Sequence, residues 1–288
     1  MYSEEMRIQQ REWSERALFL MRELLPFMGK LGRFEGLAVS DRARLGWLAT
    51  AAARSTESAF LLMAYGQLWD AEVMLRSVFE SSLKFAFILQ SGQDFRGRFE
   101  EYSEDMFQLS RMKDDQKARD VLNQVSNPDA TEWNGIRGQV LPDAEREKLR
   151  ARFDKPTRRA METRWGYAGL LDSLSKSGDP LYKKFSALSA GYSLASHIHH
   201  ADYAGVSIAM EREERSDERR DALHRAHLGR LISDCFTCFQ IRLVASYRFV
   251  GADPSELDEV SSRINRLRDY MRPAFDHWSK LEYGENGD

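Results

Sequence analysis

Hydrophobic positions along this chain recur every three to four residues, and no segment alternates convincingly at the period of two that a half-buried strand requires. Helices are predicted throughout. The clearest pair spans Ser40 to Gln90. Ser40 and Asp41 place short side-chain oxygens where the first turn leaves backbone N–H groups unpaired. Leu45, Leu48, Ala52, Ala59, Leu62 and Met63 then follow at helical spacing to about Tyr65. Gly66 suits a left-handed cap. From Asp70 a second helix gathers Ala71, Met74, Leu75, Val78, Phe79, Leu83, Ala86 and Leu89 on one wide face, which makes an antiparallel hairpin.

Further helices are predicted around this hairpin. The first runs from Ser3 to Leu31 and is bent or ended by Pro26. Others run from Phe95 to about Val125, from Asp143 to Phe153, from Pro156 onward, and around Leu170 to Leu174. Asp179-Pro180 starts a helix reaching about Tyr203, Ser216 with Asp217 starts the longest, which ends at Gly251, and Asp253-Pro254-Ser255 starts the last. Asn127, Pro128, Gly135, Gly138 and Pro142 break the pattern, so residues 126–142 are expected to form a mobile loop. A loop of about a dozen residues carrying EREERSDERR is expected before Ser216, and a frayed tail at 284–288. The expectation is one elongated all-α domain over residues 1–288, a bundle of about eight helices. Asp179 to Tyr203 and Ser216 to Val250 should pack on the central antiparallel hairpin.

Composition narrows this picture. A 288-residue chain with 42% hydrophobic and 11% aromatic residues can bury a large core and is not disordered. Its formal net charge of -3 gives no general attraction to polyanions. The stretch from Arg146 to Arg164 is mildly basic, but Glu147, Asp154 and Glu162 intersperse it, so a solvated face is expected. MYSEEMRIQQ lacks the basic-then-apolar pattern of a secretion signal, and no apolar run approaches the roughly 18 residues that span a bilayer. A cytoplasmic protein without membrane partners is expected. Cys235 and Cys238 form a lone CxxC inside a helical segment, without the second ligand pair of a structural zinc site, and are expected to be core thiols.

Charge enters the apolar hairpin at particular places: Arg54 and Glu57 in its first helix, then Glu72, Arg76, Glu80 and Lys84 at every fourth position of the second. A solvated ladder of such pairs contributes only about 0.2 to 0.5 kcal/mol each. The alternative is a functional floor covered by other helices, in which Arg76 and Glu80 must be paired.

Five of the six histidines fall in two clusters, His197, His199 and His200, then His224 and His227. His197 and His200 share a helix face, and Asp221, His224 and His227 step by three along another. If their helices pack antiparallel, the clusters differ in depth by roughly one turn and can meet. Three uses of such a meeting point are open. Imidazoles with Asp221 could bind a transition metal, but the Glu-x-x-His pairs of di-metal bundles are missing, and neither metal nor cofactor is expected. Histidine could serve as general acid and base on a phosphodiester beside an arginine. The third use is structural, as hydrogen-bonded groups beside buried charge.

Arg219-Arg220-Asp221-Ala222-Leu223-His224, and Arg220 to His227, resemble the Arg, four to six residues, His pattern of the HEPN superfamily, the helical domains of many prokaryotic toxin and antiviral-defence ribonucleases. The resemblance implies metal-free RNA cleavage at a homodimer interface, with His224 or His227 as acid-base group and Arg219 or Arg220 on phosphate. From about residue 40 to 250 the chain also resembles uncharacterised bacterial all-helical proteins, through AEVMLRSVFE and YSLASHIHH. That likeness implies a shared polar centre of Arg76, Glu80, Tyr192, Ser196 and His200. Residues 115–165 match neither. Two functions are therefore expected to compete. One is a HEPN-like ribonuclease acting on RNA. The other is a non-catalytic helical module binding a protein partner or small ligand in the same groove, lined also by His197 and Asp221.

Overall fold

A computed structural model describes residues 2–284 of the chain. It is all-α, with no strand among the described residues. The expected frayed tail, Gly284 apart, lies outside those residues.

In chain order the main helices are α1 (Glu4–Leu24), α2 (Val39–Ala64), α3 (Leu68–Leu89) and α4, which runs from Phe95–Glu100 through a π-helical Glu101–Asp105 into Met106–Gln124. They continue with α5 (Asp143–Arg152), α6 (Lys155–Trp165), α7 (Tyr167–Lys176) and α8 (Pro180–His200). The last three are α9 (Tyr203–Glu213), α10 (Asp217–Val250) and α11 (Glu256–Tyr283).

Local chemistry sets several boundaries. The Ser3 hydroxyl caps α1 by accepting the Met6 N–H at 3.2 Å, and Pro26 turns the end of α1 into a 3-10 stretch, Leu25–Met28. Gly66 takes φ 79° between α2 and α3, the left-handed turn that a side chain disfavours. Ser40 is not the cap expected of it: α2 begins one residue earlier, at Val39, behind Ala38. The loop expected before Ser216 is largely helix α9. Asp202 starts it by accepting the Gly205 N–H at 3.0 Å. Arg212 anchors its other end by burying its guanidinium, 4.3 Å from the Trp69 ring centre. A charge run that reads as solvated therefore holds a buried cation. This extra helix is one reason the bundle exceeds the eight expected.

Contacts within the chain group it into two compact units, Met1–Gln90 with Ser173–Asp288, and Ser91–Asp172. In the first, α3 packs on α2, α8 and α10, with α1 on α2 and α11 on α10. Trp13, Phe60, Phe79, Phe85, Phe236 and Phe239 are fully buried there. Each such side chain removed from water stabilises the fold by about 1.5 to 3 kcal/mol. Cys235 and Cys238 are free thiols inside this core, and burial pushes Cys238 up to about 12. They are unreactive core residues.

The second unit has its own core of Leu109, Leu141, Leu149, Phe153 and Met161. Buried Asp115 ties it together, accepting the Leu141 N–H at 2.9 Å and the Arg119 Nε–H at 2.8 Å. Burial raises the pKa of Asp115, but these donors outweigh that and hold it below the usual carboxylate range. Within 126–142 lie a 3-10 turn, Thr131–Trp133, and a helical turn, Asn134–Arg137. Arg137 donates to the carbonyls of Pro128 and Ala130. Several cations of the basic stretch are paired, Arg164 with Glu101 at 2.7 Å and Arg146 with Asp143 at 3.0 Å.

Candidate functional site

The four-residue charge stripe of α3 divides into two environments. Glu72, at its N-terminal end, is fully buried. Its Oε1 accepts from His227 Nε2 at 2.7 Å and from the Arg230 guanidinium, while Oε2 has no hydrogen-bond partner. One turn along α10, His224 Nε2 lies 2.6 Å from Gln10 Oε1. Gln10 donates its own amide to the Ala64 carbonyl at 3.2 Å, which leaves Oε1 as acceptor and assigns the imidazole proton to Nε2. Aromatic rings close over both histidines. Tyr2 sits 4.5 Å from the His224 ring and Trp69 5.2 Å from that of His227.

His224 is 2% exposed and His227 6%. Burial, with the nearby Arg212 charge second, drives His224 down to about 3. The same two causes, in the same order, hold His227 well below the ordinary histidine range. Both imidazoles are therefore neutral near pH 7. Arg212 contributes to this as a cation 6% exposed whose Nε has no partner. Burial pulls its own pKa down as well.

The arginines proposed beside these histidines separate. Arg220 is buried against Asp217, with its guanidinium 5.4 Å from the Tyr2 ring centre. Arg219 is exposed and donates to the Leu281 carbonyl at 3.1 Å. Asp221 is buried and accepts the Ser3 N–H at 3.2 Å.

Farther along α3 the stripe opens. Arg76 Nε donates to Glu80 Oε1 at 3.1 Å, and Tyr192 from α8 donates its hydroxyl to the same oxygen at 2.9 Å. Arg76 also reaches Ser196 Oγ at 3.5 Å and lies 5.2 Å from the Tyr192 ring centre. The Arg76 and Glu80 side chains are 23% and 34% exposed. Burial, then the bond to Glu80, raises the Tyr192 hydroxyl above its usual range.

Arg76, Glu80, Tyr192 and Ser196 thus meet. His200 is exposed at the C-terminus of α8, its ring 5.1 Å from that of His199. His197 Nδ1 pairs with Asp202 Oδ2 at 2.7 Å. This bond, with the Gly205 N–H second, lowers the Asp202 carboxyl. Among the described residues no three His, Cys, Asp or Glu side chains are grouped to hold a metal ion. No helix there is long and apolar enough to cross a membrane.

A sequence profile of a family of unknown function (DUF5677) matches residues 43–218. The chain belongs to this family. No curated protein and no solved structure matches it. The span that DUF5677 covers includes Glu72, Arg76, Glu80, Tyr192, Ser196 and His200. It stops just before Arg219, so Arg220, His224 and His227 fall outside it.

Sequence reasoning passed over Gln10, Trp69, Arg212 and Arg230. Each lies far along the chain from Glu72 or from the histidines. Two of them left a signal: Arg230 stands three residues after His227 on α10, and Trp69 three residues before Glu72 on α3.

Proposed function

We propose that this protein is a cytoplasmic, non-catalytic helical binding module, and that the partly exposed Arg76, Glu80, Tyr192 and Ser196 form its recognition surface. Supporting this is the contrast in access. The acid-base candidates His224 and His227 are buried and neutral, whereas the α3 and α8 cluster offers hydroxyl, carboxylate and guanidinium groups at the surface. That cluster is charge-balanced, because Glu80 already faces Arg76. It selects partners by directional hydrogen bonds, and it lacks the run of unpaired cations that counterion release from RNA requires. The whole cluster also lies inside the span that defines the family.

The second reading is a HEPN-like, metal-independent ribonuclease of prokaryotic defence, acting as a homodimer. Arg219, exposed at the start of α10 one turn from His224, favours it. It requires Tyr2 to leave the His224 ring. Purified protein incubated with structured and single-stranded RNA, with and without EDTA, separates the two. The binding module leaves RNA intact at the level of the His224→Ala/His227→Ala variant. EDTA-resistant cutting that disappears in a folded double variant overturns it in favour of the ribonuclease.

A further inference from the structure

The first unit holds a second feature that shares no residue with the α3 and α8 cluster. A cavity of about 410 Å³ lies between α1 with its 3-10 extension, α2 and α10. That volume falls in the range of small-molecule sites. Leu18, Met21, Leu25 and Phe239 supply apolar wall, and the small side chains of Ala49 and Ala53 leave one side of α2 open.

The charged groups around it are unequal. Arg22, Arg42, Arg54 and Arg242 line the cavity against a single carboxylate, Glu57, and Glu57 already pairs with Arg22. Arg242 is the informative member. It is 2% exposed and donates to Ser82 Oγ, and its neighbours among titratable groups are the thiols of Cys235 and Cys238. No carboxylate pairs with it among the described residues. A guanidinium does not shed its proton in a protein. A buried charge without a counter-ion is strongly unfavourable, and native proteins pair such charges.

We propose that this cavity binds an aliphatic carboxylate, its head group pairing with Arg242 and its hydrocarbon tail lying along Leu18, Met21, Leu25 and Phe239. A guanidinium can grip a carboxylate with two parallel hydrogen bonds, and Arg42 and Arg54 add positive potential at the mouth. The apolar wall disfavours a compact, fully hydrated anion such as inorganic phosphate. The site stands independently of the recognition surface proposed above.

Calorimetric titration of the full chain with octanoate and with 1-octanol tests the assignment. Octanoate is expected to bind one to one, and octanol, which keeps the tail and loses the charge, at least tenfold more weakly. Arg242→Met is expected to erase that preference. Should Arg242→Met fail to fold by circular dichroism, Ala53→Leu decides, because it fills the cavity and leaves Arg242 in place. It is expected to weaken octanoate binding at least tenfold. Equal affinity for octanoate and octanol, absence of octanoate binding at millimolar concentration, or undiminished binding to Ala53→Leu each overturn the proposal.

Discussion

Glu72 and Glu80 stand two turns apart on one face of one helix, each with a cationic partner, yet they inhabit different solvents. Glu72 is sealed under α10 with His227 and Arg230, and its second oxygen has no hydrogen bond. Glu80 is met by α8, which brings a hydroxyl and leaves the carboxylate one-third exposed. The same residue type at the same helical register is thus a structural fixture in one place and an accessible hydrogen-bonding group in the other. The covering helix makes the difference. In a stripe of ion pairs, energetic weight follows burial and access follows its absence, so the strongest pair need not mark the functional one.

The largest test of this contrast is Glu72→Ala. It leaves the buried Nε2–H of His227 without an acceptor, which costs about 1 to 3 kcal/mol, while Arg230, one-third exposed, keeps Asp234 at 3.0 Å. Urea denaturation should show that loss with little change in slope. Glu80→Ala should cost about 1 kcal/mol or less, since water screens what remains. Equal losses at the two positions would erase the distinction between them.

Acid stability probes the buried half by itself. His224 and His227 have folded pKa values below their unfolded value of about 6.5, so the unfolded chain binds protons that the folded chain refuses. Their contribution to stability is complete above that value and is lost as pH falls, down to about 3 for His224. With both histidines differing fully, the slope approaches about 2.7 kcal/mol per pH unit, or about 1.4 for each. Asp234 acts in the opposite sense. Burial raises it to about 6, so the stability tied to its protonated form is present at low pH and lost as pH rises through that value. His224→Gln, which retains a donor for Gln10, should remove about 1.4 kcal/mol per pH unit from the slope between pH 6 and 4. Urea midpoints measured across that window will show it. An unchanged slope would place the imidazole in contact with water.

How much of this could be read beforehand differs by level. Apolar spacing was sufficient for α1, the hairpin and α10, because each buries one broad face against neighbours and the period records it. Gly66 and Gly251 marked their turns through a backbone conformation few other residues tolerate. The α9 helix was hidden because its charge run resembles a loop, and only packing on Trp69 shows why Arg212 is apolar-facing. The stripe of α3 was legible as a set of positions. Its division was not, since depth depends on α8 and α10, which lie more than a hundred residues along the chain. For the same reason the two histidine clusters, whose spacing suggested a meeting, ended in separate settings: His197 paired with Asp202 at the end of α8, and His227 with Glu72 inside the core.

The smallest expected effect concerns the open cluster. Tyr192→Phe removes one hydroxyl donor from Glu80 Oε1 while Arg76 keeps its bond to that oxygen. Water can take the vacated position beside a carboxylate that is one-third exposed, so the net loss should fall near 0.5 to 1 kcal/mol, below the roughly 1.5 to 3 kcal/mol of a hydrogen bond to a charged group that water cannot replace. A double-mutant cycle with Glu80→Gln isolates the coupling, which should stay below about 1 kcal/mol. A coupling of 2 kcal/mol or more would mean that α8 excludes water from Glu80 as α10 does from Glu72. The recognition surface would then be closed, and the difference in access on which its assignment rests would vanish.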